Sequence, residues 1–242
     1  MSPIRKQLSH QIAQLSAGYL SLLFPTLCPG CNRRLINSAV PVCPACAYKL
    51  ERVEDAIARM SVCKLPEACD AFHHIFALWM FDKAGTVQNI HQSLKYKNRP
   101  TQGLALGKLM GTTFLMPLHP RDKPDVIMPI PLHQRRLLER GYNQSEVLAS
   151  GISSSSKIPL STKQLLRSTH TKTQTGFDRT RRLANVRDAF AVAKTKGIQG
   201  SHVLLVDDVL TTGATLLAAS IPLKKAGASH ISVATLALAR HL

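Results

Sequence analysis

Two sets of residues in this chain are spaced for chemistry: the adjacent carboxylates Asp207 and Asp208, and two Cys-x-x-Cys pairs, Cys28/Cys31 and Cys43/Cys46. The carboxylates close an apolar run, Val203-Leu204-Leu205-Val206. Thr211, Thr212, Gly213, Ala214 and Thr215 follow, and the pattern then turns helical. Successive backbone N–H groups in a tight glycine-containing turn cradle an anion, a helix start adds a positive dipole end, and threonine hydroxyls add donors. That half suits a phosphate. The carboxylates suit the complementary task of accepting hydrogen bonds from sugar hydroxyls or sharing a hydrated Mg2+. A phosphate beside paired hydroxyls describes a ribose 5-phosphate. No lysine follows the glycine as a Walker loop requires, and G-x-G-x-x-G is absent. A purely structural role is disfavoured, because buried carboxylates without partners destabilise a fold.

The four cysteines form CxxC-x11-CxxC. Each pair fits one tight turn, and two turns supply four thiolates for a tetrahedral Zn2+, a reading placed ahead of disulfides. Four ligands close the coordination shell, so the ion would be structural. Reduced thiolates point to the cytoplasm. Cys63 and Cys69 have no partner at this spacing. They are expected as two reduced, partly buried cysteines, with a second metal site using His73 or His74 as the alternative.

These groups need a scaffold, and the composition supplies one. The chain has 242 residues and 45% hydrophobic content, enough for one α/β core and a small appendage. Lys and Arg number 31 against 14 Asp and Glu, a net charge of +17, which points to an anionic partner. Residues 1–70 carry 8 basic and 5 acidic groups, net +3; residues 71–242 carry 23 and 9, net +14. A nucleotide pocket needs only a few cations, so either polyanion binding or a well-solvated surface accounts for the rest. No run is long enough for a transmembrane segment. Ile4, Leu8, Ile12, Leu15, Tyr19 and Leu22 recur at helical spacing. They predict an amphipathic helix in 1–24 that packs on the protein itself, or alternatively touches a membrane surface, which would place the chain at the inner face of the membrane.

Patterning predicts strands over 71–81, 125–129, 202–206 and 230–238, and helices over 84–96, 101–115, 143–153 (capped by Asn143) and 212–227. Ser153–Lys157 reads as a flexible loop, and Phe177–Asn185 as an Arg-rich helix or loop. Pro222 should kink or break the last helix. Alternating strands and helices with continuous apolar strands indicate an α/β parallel sheet. The organisation is a helix (1–24), a zinc knuckle (25–70) and a sheet domain (71–242).

The stretch from Val203 to Leu216 resembles the phosphoribosyl-pyrophosphate signature of type I phosphoribosyltransferases. Together with the cysteine knuckle, Leu94-Lys95-Tyr96, PIPLHQRRLLERGYNQSE at 129–146 and TQTGFDRTRRLANVRDAF at 173–190, in that order, it resembles the ComF/GntX family. The resemblance covers about residues 25–240 and departs in one place: many relatives carry a second complete four-cysteine knuckle, where this chain has only Cys63 and Cys69. It implies a type I phosphoribosyltransferase fold (a parallel sheet flanked by helices) and a part in DNA uptake during natural transformation. Its partners would be phosphoribosyl pyrophosphate or another phosphorylated ribose, single-stranded DNA and other DNA-uptake proteins. Asp207 and Asp208 would meet the ribose hydroxyls, and Thr211, Thr212, Gly213, Ala214 and Thr215 would hold the 5-phosphate. The turn containing Pro131, with Arg135 and Arg136, would stand where the family's pyrophosphate loop lies. Arg140, Tyr142, Asn143 and Gln144 match its GYNQ motif, and Gln174, Arg181 and Asn185 its Q…R…N motif. Guanidinium groups grip two oxygens of a pyrophosphate at once, which suits Arg135, Arg136 and Arg140.

Two functional classes follow. One is an enzyme transferring phosphoribose, with Mg2+ on the leaving pyrophosphate, to an acceptor that no residue identifies, in DNA uptake or alternatively in nucleotide metabolism or salvage. The other is a nucleic-acid-handling protein that keeps the fold. Lys157 to Arg187 holds eight basic residues against one acid, a stripe suited to phosphates, while 5% aromatic content argues against a base-stacking platform.

Overall fold

The apolar runs pair as a parallel sheet in the computed structural model, which describes residues 25–35, 40–63, 66–96, 99–167 and 189–239. The helix expected in 1–24, and the segment holding Gln174, Arg181 and Asn185, lie outside the described residues. The first part of the chain gives α1 (Pro44–Ala47), α2 (Asp55–Val62), α3 (Pro66–Cys69), β1 (Ile75–Phe81), α4 (Thr86–Tyr96) and α5 (Pro100–Phe114). Then come β2 (Val126–Pro129), α6 (Gln134–Arg140), α7 (Gln144–Ser156) and the short antiparallel pair β3 (Leu165–Arg167) and β4 (Phe190–Val192). β5 (His202–Leu210), α8 (Ala214–Lys225) and β6 (His230–Ala239) complete the fold.

The sheet order is β1-β6-β5-β2, with every neighbouring pair parallel. β5 lies at its interior, and its residues alternate between two apolar clusters. Val203 and Leu205 join the side chains of α2 and α8; Leu204 and Val206 join those of α4, α5 and α7. Helices therefore cover both faces, which is why the strands read as unbroken apolar runs. α5 and α7 approach most closely. A Cβ on Gly107 would lie 2.1 Å from the Leu148 carbonyl oxygen, and one on Gly151 would lie 2.3 Å from that of Leu104.

The cysteine segment is built into this scaffold. Thr26–Leu35 folds back on itself, with Cys28 N–H bonded to the Arg33 carbonyl (2.7 Å) and Leu35 N–H to that of Thr26 (2.7 Å). Cys43 precedes α1, with Pro44 at its first position, and Cys46 lies inside it. Buried Cys28 and Cys46 belong to the same apolar cluster as Val87, Ile90 and Leu94 of α4. Residues 51–53 then run along β1 through Met80 N–H to the Glu51 carbonyl (2.8 Å) and an antiparallel bridge from Arg52 to Trp79. At the opposite end of the sheet, where the strands begin, four imidazoles gather: His73 and His74 before β1, His202 opening β5 and His230 opening β6. Ring centroids within this group lie as close as 4.3 Å (His73–His74) and 4.8 Å (His73–His230).

Several expectations are corrected. Ser153–Ser156 is not a loop; α7 runs through it and ends at Lys157 in a left-handed cap (φ 64°). Pro222 does not break α8, which continues to Lys225. The turn expected over 129–134 is shorter, because α6 begins at Gln134 and carries Arg135 and Arg136 in its first turn, and the β3–β4 pair was not foreseen. Cys63 and Cys69, expected as reduced thiols or metal ligands, are joined as a disulfide, because the end of α2 and the end of α3 bring them together.

Candidate functional site

β5 does not stop at the acids. It continues through Asp207 and Asp208 to Leu210, still paired with β6 at Val209 and Leu210, so both carboxylates are held on a rigid strand. The chain then turns through Thr211 and Thr212 to Gly213, whose φ of +78° is a left-handed conformation suited to glycine. Gly213 is also the residue preceding α8, so the helix N-terminus opens directly behind the turn. Thr212 is buried and its hydroxyl accepts from Ala214 N–H (3.4 Å); Thr211 is exposed and Thr215 half-buried. The expected phosphate cradle is thus contiguous with the carboxylates.

The two carboxylates live in different environments. One oxygen of Asp207 accepts both the Ser145 hydroxyl (2.9 Å) and the Asp208 backbone N–H (2.9 Å). Burial and the neighbouring Asp208 charge raise its pKa to about 7, against the opposing pull of those two hydrogen bonds. Burial would raise Asp208 as well. However, its Oδ2 faces His91 Nε2 at 3.0 Å and Lys95 Nζ at 3.5 Å, and these partners hold it well below the ordinary carboxylate range. The result is one ionised and one readily protonated acid side by side, a common pattern where a site needs both an anion and a proton carrier.

The start of α7 adjoins the acids through Ser145, and α6 leads into it. Arg140 donates to Gln144 Oε1 (3.0 Å). Tyr142 donates its hydroxyl to the Leu94 carbonyl near the end of α4. Asn143 caps α7 by accepting Ser145 N–H (3.1 Å) and donates to the Ile130 carbonyl (3.0 Å). Tyr142, Asn143 and buried Gln144 therefore tie together the elements carrying Pro131, Ser145 and Lys95. Pro131 is half-buried in the turn after β2. Arg135 points away and pairs with Glu139 (3.1 Å) at the surface. Arg136 acts with Arg167 of β3: burial and the Arg136 charge lower the Arg167 pKa, while Asp207 opposes them. The structure therefore keeps the acids and the threonine turn contiguous, places Arg136 and Asp207 both near Arg167, ties Arg140 to Gln144, and commits Arg135 to Glu139 at the surface. His91, Lys95, Ser145 and Arg167 were missed as site residues. The sequence signals for His91 and Lys95 were their i,i+4 spacing on an amphipathic helix and the position of Lys95 in the LKY motif.

The four cysteines present their sulfur atoms within 4.8 Å of one another, with Cys31 and Cys43 3.6 Å apart. Thiolates sharing a tetrahedral zinc sit roughly 3.8 Å apart, so the donor set fits a metal ion of this kind. The Cys46 backbone N–H lowers the Cys43 thiol to about 7, whereas burial pushes Cys46 up.

Residues 120–242 match the family model of the phosphoribosyl transferase domain, and the chain belongs to that family. Within it, the relatives are those of the ComF group. "Competence protein F" of Haemophilus influenzae is 39% identical over 122 residues, 50% of this chain and 53% of that protein. "DNA utilization protein YhgH" of Salmonella typhimurium is 28% identical over 224 residues, 88% and 96% respectively. The chain thus spans about half the length of the first relative and nearly all of the second. Among solved structures, the glutamine phosphoribosylpyrophosphate amidotransferase from B. subtilis is similar at 20% identity and a TM-score of 0.40, over 60% of this chain and 30% of that one. No described helix is long and apolar enough to cross a membrane.

Proposed function

We propose that the chain binds phosphoribosyl pyrophosphate with Mg2+ at the Asp207–Thr215 stretch and serves the handling of incoming DNA. One observation carries the donor reading: two adjacent carboxylates with different partners, near the end of β5, lead into a left-handed Gly213 turn and a helix N-terminus. Asp207 and Asp208 would receive the ribose hydroxyls, and the Thr211–Thr215 amides and hydroxyls the 5-phosphate. Arg136 and Arg140 of α6 would face the pyrophosphate; Mg2+ would neutralise it. Gln174, Arg181 and Asn185 remain candidates for this ligand on the strength of the motif alone. The four cysteines would hold Zn2+ as a structural ion. The DNA setting comes from the names of the relatives, a competence protein and a DNA utilization protein.

Calorimetry with phosphoribosyl pyrophosphate and Mg2+ tests the site, with Asp207→Asn/Asp208→Asn as control. Binding by wild type and loss of at least tenfold in the double variant are expected; equal binding would exclude the pocket. Release of pyrophosphate on adding nucleobases or single-stranded DNA would separate turnover from binding. A second reading, electrostatic nucleic-acid binding by a chain that performs no transfer, is favoured by the net +14 of residues 71–242.

A further inference from the structure

α4 touches both special sites of this molecule, on opposite faces. Towards the cysteines, Asn89 donates its side-chain N–H to the Gly30 carbonyl (3.1 Å), inside the first CxxC pair. Thr86 lies so close to Gly30 that a Cβ there would come within 2.9 Å of both Thr86 Cγ2 and Cys46 Sγ. Ser93 donates to Gln102 Oε1 (3.0 Å), and Gln102 donates to the Leu27 carbonyl beside Cys28 (2.7 Å); Ser93 and Gln102 are both buried. Towards the carboxylates, His91 and Lys95 reach Asp208. Asn89 and His91, and likewise Ser93 and Lys95, are two positions apart, about 200° around a helix. The helix is one rigid body with a cysteine-facing side and an Asp208-facing side.

We infer that the cysteine knuckle and the paired carboxylates are coupled through α4, so that metal in the knuckle sets the placement of His91 and Lys95 on Asp208. The sulfur atoms converge only if the Cys28–Cys31 turn stays in place, and that turn is what Asn89, Thr86 and Gln102 grip. When the metal leaves, the Gly30 and Leu27 carbonyls lose their fixed position, α4 loses its outer clamp, and Asp208 loses His91 and Lys95 as a fixed pair of partners. Asn89 and Ser93 are positioning residues: they touch no ligand of the carboxylate site. Coupling of this kind is reciprocal, so a ligand that holds Asp208 must also hold the metal.

The inference rests on the donor-site reading only for the second of two measurements. In the first, amide hydrogen exchange is followed on the full chain before and after zinc is removed by a chelator. Exchange should quicken in residues 89–96 and 207–209 as well as in 25–50. Quickening confined to 25–50, with α4 and β5 unchanged, overturns the coupling. This arm needs neither a variant nor a donor, so it decides the matter even if phosphoribosyl pyrophosphate proves not to bind, a result that would sink the donor reading alone. In the second, zinc transfer to a chromogenic chelator is timed with and without phosphoribosyl pyrophosphate and Mg2+. The donor should slow transfer about tenfold in wild type, chelation should weaken donor binding by the same factor, and Asn89→Ala should bring both factors towards one while the zinc-loaded variant still binds donor. A donor that binds but leaves zinc transfer unchanged overturns the inference.

Discussion

At the scale of single residues, Asp207 sets the pH response. Its pKa of about 7 lies above its ordinary value, so the folded protein holds a proton there that the unfolded chain has lost. Its contribution to stability is therefore complete in acid and fades as pH rises through 7, whereas that of Asp208, whose pKa is depressed, is lost only in stronger acid. Ribose hydroxyls need an accepting carboxylate, so donor binding should strengthen up to tenfold per unit as pH rises towards about 7 and then level off. Calorimetry across that range checks it, and a flat profile in wild type would contradict it; Asp207→Asn should be weak and flat. Gly213→Ala forces a side chain into φ +78°, at a cost of about 1–3 kcal/mol. It should lower donor affinity more than it lowers the unfolding midpoint. Asp207, Asp208 and Gly213 were legible because strand, acids and turn are contiguous. His91 and Ser145 were not: they reach the acids from 117 and 62 positions away, and no local pattern reports such a contact.

At the scale of elements, the half-buried Tyr142 hydroxyl ties the α6–α7 junction to α4. Tyr142→Phe leaves the Leu94 carbonyl without that donor and should cost about 1 kcal/mol in urea unfolding, with larger loss of donor binding than of stability. Gly107→Ala places a methyl against the Leu148 backbone and should cost about 1–3 kcal/mol by prising α5 from α7; an unchanged midpoint would show that the pair has slack. Strand and helix order was legible from hydrophobic period, and the Asn143 cap from its residue type. The serine tract misled because serine favours loops. Here Ser155 and Ser156 instead bond back to the Gly151 and Ile152 carbonyls (3.2 and 2.8 Å), and Ser153 reaches the Ile158 carbonyl (2.7 Å). Pro222 is tolerated because α8 ends three residues later at Lys225, so little helix depends on the missing N–H.

At the scale of the whole molecule, the net charge of +17 far exceeds what the carboxylate site uses. If the surplus meets nucleic acid, affinity for a single-stranded oligonucleotide should fall steeply between about 50 and 200 mM salt, with little dependence on base sequence. Fluorescence anisotropy across that range checks it, and salt-independent binding would contradict it. The imidazole group at the strand starts has a different consequence. His202 is buried, its Nε2 lies 2.7 Å from the Ser232 hydroxyl, and burial with the nearby His73, His230 and His74 lowers it to about 4, Asp125 opposing. The unfolded chain takes up this proton near pH 6.5 and the folded one does not, so the native state loses ground as pH falls from about 6.5 to 4. Mild acidification should thus open the sheet from the floor, where β1, β5 and β6 begin, while the carboxylate end is still formed.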